Sequence, residues 1–229
     1  MNSHMELGRI AGIPIYLDMM FIALLLLFGF PYFTTGDPQA MSVGLLFIAG
    51  LLLSILLHEF GHAIVARCFG VKTREIELTG LGGVARFANA LPRSALKQAV
   101  IFLAGPAVNL ALWYGLENAA VNSFGLGKPF VSETLATLAF ANFWLLVFNL
   151  LPAFPLDGGR TVEALVNPIA GAAWAVRIVA VLGLLCTAGC VWLAIASGRP
   201  RLGLLLLAYV LYQHNWQALQ SVGGLRGGR

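Results

Sequence analysis

Leu51-Leu52-Leu53-Ser54-Ile55-Leu56-Leu57-His58-Glu59-Phe60-Gly61-His62 sets a nearly unbroken apolar run directly against two histidines and a glutamate. Outward from this stretch the apolar run extends over 41–69. A helix needs about 20 predominantly apolar residues to cross a bilayer. Comparable runs lie at 17–33, 96–117, 135–151, 170–196 and 202–217, the last broken near its end by Gln213, His214 and Asn215. Six spans are expected, or five if the last falls short. The 229 residues are 59% hydrophobic and 10% charged, with mean hydropathy +0.84. A soluble domain carries about a quarter charged residues. The expected fold is therefore an all-α polytopic membrane protein, a single transmembrane domain over 1–229, with the lipid bilayer as its solvent.

Between the second and third runs, 71–93 has another texture. Val71-Lys72-Thr73-Arg74-Glu75-Ile76-Glu77-Leu78 partly alternates polar and apolar residues, and Gly80, Gly82 and Gly83 follow before Pro92. Alternation with clustered glycine predicts short strands or a hairpin. No internal repeat or long linker is present. Met1-Asn2-Ser3-His4-Met5 reads as a cloning remnant, which removes His4 from consideration as a ligand, and no cleavable signal peptide is expected.

The formal charge is +4 and the isoelectric point about 9.2. In a membrane protein such an excess gathers at cytoplasmic helix ends. No compact basic patch with interleaved aromatics is present, so nucleic acid is not an expected partner. With six alternating spans, Arg9, Arg67, Lys72, Arg74, Arg93, Lys97, Arg160, Arg177, Arg226 and Arg229 fall on one side; Lys128, Arg199 and Arg201 fall on the other. The first side is read as cytoplasmic, with both termini there. Cys68, Cys186 and Cys190 contain no CxxC pair, and Cys186 and Cys190 are expected to pack on one helix face rather than form a disulfide.

The chemistry concentrates in His58-Glu59-Phe60-Gly61-His62. Residues four apart on a helix share a face, so both imidazoles can hold one zinc ion while Glu59 stands beside it as a general base. Ionisable groups at bilayer depth are costly and are kept mainly for function. A catalytic zinc takes three protein ligands and leaves one position open. Asp157 is the expected third ligand, in Asn149-Leu150-Leu151-Pro152-Ala153-Phe154-Pro155-Leu156-Asp157-Gly158-Gly159-Arg160. The prolines stop a helix there and the glycines let the chain turn. Irregular backbone at that depth is tolerated only inside protein or beside a water-filled cavity. Asp18 and Asp37 flank the first run, and His214 reads as part of an interfacial helix end. Asn142 and Asn149 share a helix face. Asn142 is expected to bond a neighbouring helix, and the Asn149 amide can donate to an oxyanion. Ala104-Gly105-Pro106-Ala107-Val108-Asn109 is read as a close-packing segment.

Taken together, HEFGH at 58–62, GGVARF at 82–87, AGPAVN at 104–109 and NLLPAFPLDGGR at 149–160 resemble the site-2 protease family of intramembrane metalloproteases, peptidase family M50. The resemblance implies one Zn2+ per chain held by His58, His62 and Asp157, with Glu59 as base and Asn149 as a substrate or oxyanion contact. It also implies that Gly82, Gly83 and Val84 belong to a membrane-associated β element to which an extended substrate adds as a strand. The implied substrates are membrane-spanning proteins, such as anti-sigma factors or transcription-factor precursors, cut within or near the bilayer on its cytoplasmic side. Many relatives carry histidine near the first span where this chain has Asp18, whose role is therefore open. PDZ and CBS domains common among relatives are not expected here, so control is expected from partner proteins. Rival readings are a membrane zinc transporter and a metal-binding scaffold without hydrolysis. Prenyl-protein proteases also carry HExxH, but their downstream ligand is typically glutamate.

Overall fold

Asp18 ends a strand and starts a helix: it closes β2 (Ile13–Asp18), and its carboxylate accepts from Met20 N at the head of α1 (Met19–Phe33). The computed structural model describes residues 4–80, 82–196 and 201–223. Residues 1–3 of the expected remnant, and Arg199, Arg226 and Arg229 used above for orientation, lie outside the described residues. In chain order the elements are β1 (His4–Ile10), β2, α1, α2 (Pro38–Cys68), β3 (Thr73–Thr79), β4 (Gly82–Phe87), α3 (Ala95–Gly125), α4 (Pro129–Asn149), α5 (Asp157–Ala170), α6 (Ala172–Ile195) and α7 (Leu202–Gly223).

The chain is a polytopic, mostly helical membrane protein with a small sheet. By length and composition α2, α3, α4 and α6 can each cross a bilayer. The first expected span is shorter than read: its opening residue, Leu17, belongs to β2, which leaves a 15-residue apolar helix. Among the described residues, α7 is not one of the helices long and apolar enough to cross a membrane.

The chain divides into two compact units, residues 1–91 with 104–146 and residues 92–103 with 147–229. The first holds the sheet, ordered β1-β2-β3-β4. The expected hairpin is β3–β4, antiparallel with Leu78 opposite Gly83 and Glu77 opposite Val84. The all-helical expectation is corrected by two further strands. β2 runs parallel to β3, pairing Ile15 with Ile76 and Leu17 with Leu78, and β1 folds antiparallel onto β2. Side chains alternate across a sheet. Ile15, Leu17, Ile76 and Leu78 consequently share one face, buried in a core with Phe21, Leu25, Phe47, Leu51 and Ile55. Val84 stands on the opposite face with Glu77 and Arg86, whose side chains pair at 2.7 Å.

α2 forms the spine of this unit. Asp37 caps it by accepting from Gln39 N and Ala40 N, and Pro38 fits its first turn, where the missing N–H costs nothing. At 31 residues α2 is roughly 46 Å long, more than the bilayer core.

In the second unit, Ala153 packs with Cys190, Ala208 and Leu211, with Cys186 beside them. The two cysteines are packing residues with free thiols. By sequence the segment after Pro155 reads only as a turn. It continues into α5, which Asp157 opens as the first helical residue. Gly158 and Gly159 explain how: a Cβ at either would collide with the backbone carbonyls of Leu150, Leu151 or Ala153. Only glycine lets α5 start this close to the preceding chain.

Candidate active site

His58, Glu59 and His62 are all buried, and the two histidines lie on the face of α2 that turns toward α3 within the first unit. The approach of the two helices depends on small residues. A Cβ on Gly61 would meet the Ala104 carbonyl, and one on Gly105 would meet Nε2 of both His58 and His62. The AGPAVN segment thus packs closely, as read from the sequence, and its glycine leaves the space in which the two imidazoles meet.

The Nε2 atoms of His58 and His62 lie 3.1 Å apart. Two nitrogens at 2.0–2.1 Å from one tetrahedral zinc stand about 3.3 Å from each other. The pair is therefore already spaced as two ligands of a single ion.

Buried amides fix which His58 nitrogen carries the proton. Asn142 is fully buried on α4, and its Nδ2 donates to the Leu138 carbonyl at 2.9 Å and to Ser54 Oγ at 3.0 Å. A backbone carbonyl can only accept, so the orientation of this amide is settled. Asn142 Oδ1 then accepts from Asn109 Nδ2 at 3.0 Å, which turns Asn109 Oδ1 toward His58 Nδ1. An amide oxygen only accepts, so Nδ1 carries the proton and Nε2 keeps its lone pair. Ser54 ends the chain by donating to the Gly50 carbonyl at 2.8 Å. Such an outer shell sets ring orientation and basicity in metal sites. Asn142 bonds neighbouring helices as expected. The sequence marks Asn109 only as part of a packing segment; its proximity to His58 arises from tertiary contact across 51 positions.

Glu59 faces β4. A Cβ on Gly83 would meet its carboxylate, whereas Gly82 and Val84 alternate to the other face. β4 is the last strand in the sheet order, leaving a sheet edge next to the glutamate-facing glycine. On the solvent-facing side of the strand, the Glu77 hydrogen bond and charge, with help from Glu75, push the Arg86 pKa up despite slight burial.

His58 and His62 belong to the first unit and Asp157 opens α5 in the second, and each is of a residue type that ligates zinc. Asn149 is the last residue of α4 and is half-buried. Asp18 serves as a helix cap. His214 lines a surface cavity of about 380 Å³ with Arg160, Glu163 and Gln217. Burial raises the Glu163 pKa and outweighs the lowering by Arg160.

A buried His-Glu-x-x-His helix within a polytopic membrane fold defines a class of membrane metalloprotein. The model of peptidase family M50 matches residues 46–125 and 126–189, and the chain belongs to that family. It is 35% identical over 184 residues to a zinc metalloprotease of Methanocaldococcus jannaschii, covering 80% of this chain and 51% of the relative. It is 30% identical over 114 residues to stage IV sporulation protein FB of Bacillus subtilis, covering 48% of this chain and 36% of that one. The solved structure of the site-2 protease from Methanocaldococcus jannaschii superposes with a TM-score of 0.68 at 26% identity, covering 94% of this chain and 95% of that chain. This chain spans about half the length of several curated relatives that it matches.

Proposed function

We propose that this chain is a zinc metalloendopeptidase that hydrolyses peptide bonds of membrane-spanning proteins within or near the bilayer. The observation that carries the reading is the pair of buried imidazoles 3.1 Å apart, with the proton on His58 held at Nδ1 by Asn109. Membership of peptidase family M50 and similarity to zinc metalloproteases support zinc as the ion, one per chain. His58, His62 and Asp157 are its ligands in this reading, consistent with the donor set of two imidazoles and a carboxylate.

Zinc, when bound, supplies Lewis acidity that makes water acidic near neutral pH and polarises the scissile carbonyl. Glu59, one residue from the first ligand, takes the proton of the attacking water and returns it to the leaving amine. Asn149 donates its amide to the developing oxyanion. The edge of β4, with Gly82, Gly83 and Val84, receives the unwound substrate as an added strand, which frees the scissile carbonyl from helical hydrogen bonding. In this reading α1 and α7 complete six spans. His58 lies some twenty residues into α2, about 30 Å from its start, which suits a site near the cytoplasmic end of that span. Substrates would be membrane-anchored regulators of the anti-sigma or transcription-factor-precursor kind, with partner proteins controlling access. Similarity to a sporulation protein is in keeping with regulated proteolysis.

The test is cleavage of a membrane-anchored reporter by the purified chain in liposomes, with zinc removed by a chelator and then restored. Loss and recovery of cleavage with zinc supports the reading. Zinc flux into the vesicles without any cleavage would favour a transporter instead.

A further inference from the structure

Asn215 is fully buried in α7, although it sits in the polar run Gln213-His214-Asn215 that reads as an interfacial helix end. Its side chain treats Phe154 as a neighbouring strand would. Phe154 N donates to Asn215 Oδ1 at 3.1 Å, and Asn215 Nδ2 donates to Phe154 O at 2.8 Å. The same Nδ2 also donates to the Leu211 carbonyl at 2.7 Å, which fixes the amide's orientation from its own helix. A single side chain thus satisfies both backbone groups of one irregular residue, the demand that buried non-helical backbone makes at bilayer depth. Asn meets it where Asp cannot, because Asp lacks the donor.

Phe154 stands three residues before Asp157. The intervening chain has little freedom: Pro155 fixes one torsion, Leu156 N donates to the Ala153 carbonyl at 2.9 Å, and Asp157 is the first residue of α5. α6 makes room for the clamp at Gly183, where a Cβ would run into the Asn215 amide. The contact is therefore built from three sides: an amide on α7, a glycine on α6, and the backbone before α5.

We propose that Asn215 is a positioning residue, which through Phe154 sets where the Asp157 carboxylate stands and so makes α7 a part of the metal site. This rests on the reading of Asp157 as third ligand. Asn215→Leu removes both bonds to Phe154 at similar volume. Gly183→Ala displaces the amide without altering it, and a Gly→Ala change inside a helix is otherwise favourable.

The measurement is metal binding by the purified full-length chain in detergent, with Zn2+ affinity read by chelator competition and ligand geometry by the visible spectrum of bound Co2+. Asn215→Leu and Gly183→Ala are each expected to weaken Zn2+ binding roughly 10–100-fold, the range for lost outer-shell partners, and to shift the Co2+ spectrum in the direction Asp157→Ala shifts it. In a double variant with Asn215→Ala, which removes the amide that the added methyl would meet, Gly183→Ala should have no further effect. Unchanged affinity and spectrum in a folded Gly183→Ala or Asn215→Leu, with Asp157→Ala altering both, would overturn the positioning role. An Asp157→Ala protein that binds and absorbs like the parent would instead overturn the ligand reading. Gly183→Ala decides the matter if Asn215→Leu fails to fold.

Discussion

His58 Nδ1 donates to Asn109 Oδ1, and that bond leaves the His58 lone pair on the side of His62. Asn109 is held in turn by Asn142, and Asn142 by Ser54 and the Leu138 carbonyl, so the tautomer is set by a backbone group on another helix.

Asn109→Leu should therefore weaken zinc binding by about 10–100-fold. Asn109→Asp keeps an acceptor for His58 and should retain more affinity than leucine. Competition with a chelator of known strength measures both.

Asn142→Leu leaves the amide of Asn109 without its acceptor, while Ser54 loses the amide donor but keeps its bond to the Gly50 carbonyl. A loss of about 1–2 kcal/mol in stability is expected, the size seen for interhelical hydrogen bonds in membranes and for stranded buried groups. Unfolding of the detergent-solubilised protein reads it, and a variant as stable as the parent would show that the relay contributes little to the fold.

Gly83→Ala puts a methyl group into the space of the Glu59 carboxylate. Zinc should stay bound while cleavage falls on the order of a hundredfold, the scale of a misplacement of about 1 Å in a catalytic group. Zinc content and turnover measured on the same sample separate the two effects. Val84→Ala, on the other face of the strand, should leave the position of Glu59 unchanged.

Glu163 has its pKa raised by burial from the ordinary value of 4.5. An acid whose folded pKa lies above its unfolded one contributes stability that is complete below the unfolded value and is lost as pH rises through the folded value. Thermal unfolding should therefore show stability falling with pH from about 4.5 upward through that window. Glu163→Gln should flatten this slope and be the more stable protein at pH 7. An unchanged slope would assign the dependence to other groups.

Features governed by local spacing were legible in the sequence. His58 and His62 had to share a face of α2 because they are four apart, and the alternation in 72–78 announced β3. Features made by tertiary contact were not. β2 pairs with β3 through Ile15 and Ile76, and nothing near Ile15 signals a parallel partner so distant in the chain. Leu17 looked like the start of a span because a buried strand and a membrane helix both read as apolar runs. α5 was hidden because Gly158 and Gly159, which look like a turn, serve close packing. Asn215 shows the same ambiguity: a polar residue near a helix end reads alike whether it faces headgroups or clamps a buried backbone.

The most direct measurement is the cleavage of a membrane-anchored reporter by Glu59→Gln protein loaded with zinc and compared with the parent in the same liposomes. Glutamine keeps the shape of the side chain but cannot take the proton from water. Zinc bound at one per chain with no cleavage is the expected result; cleavage at the parental rate by the zinc-loaded variant would contradict it.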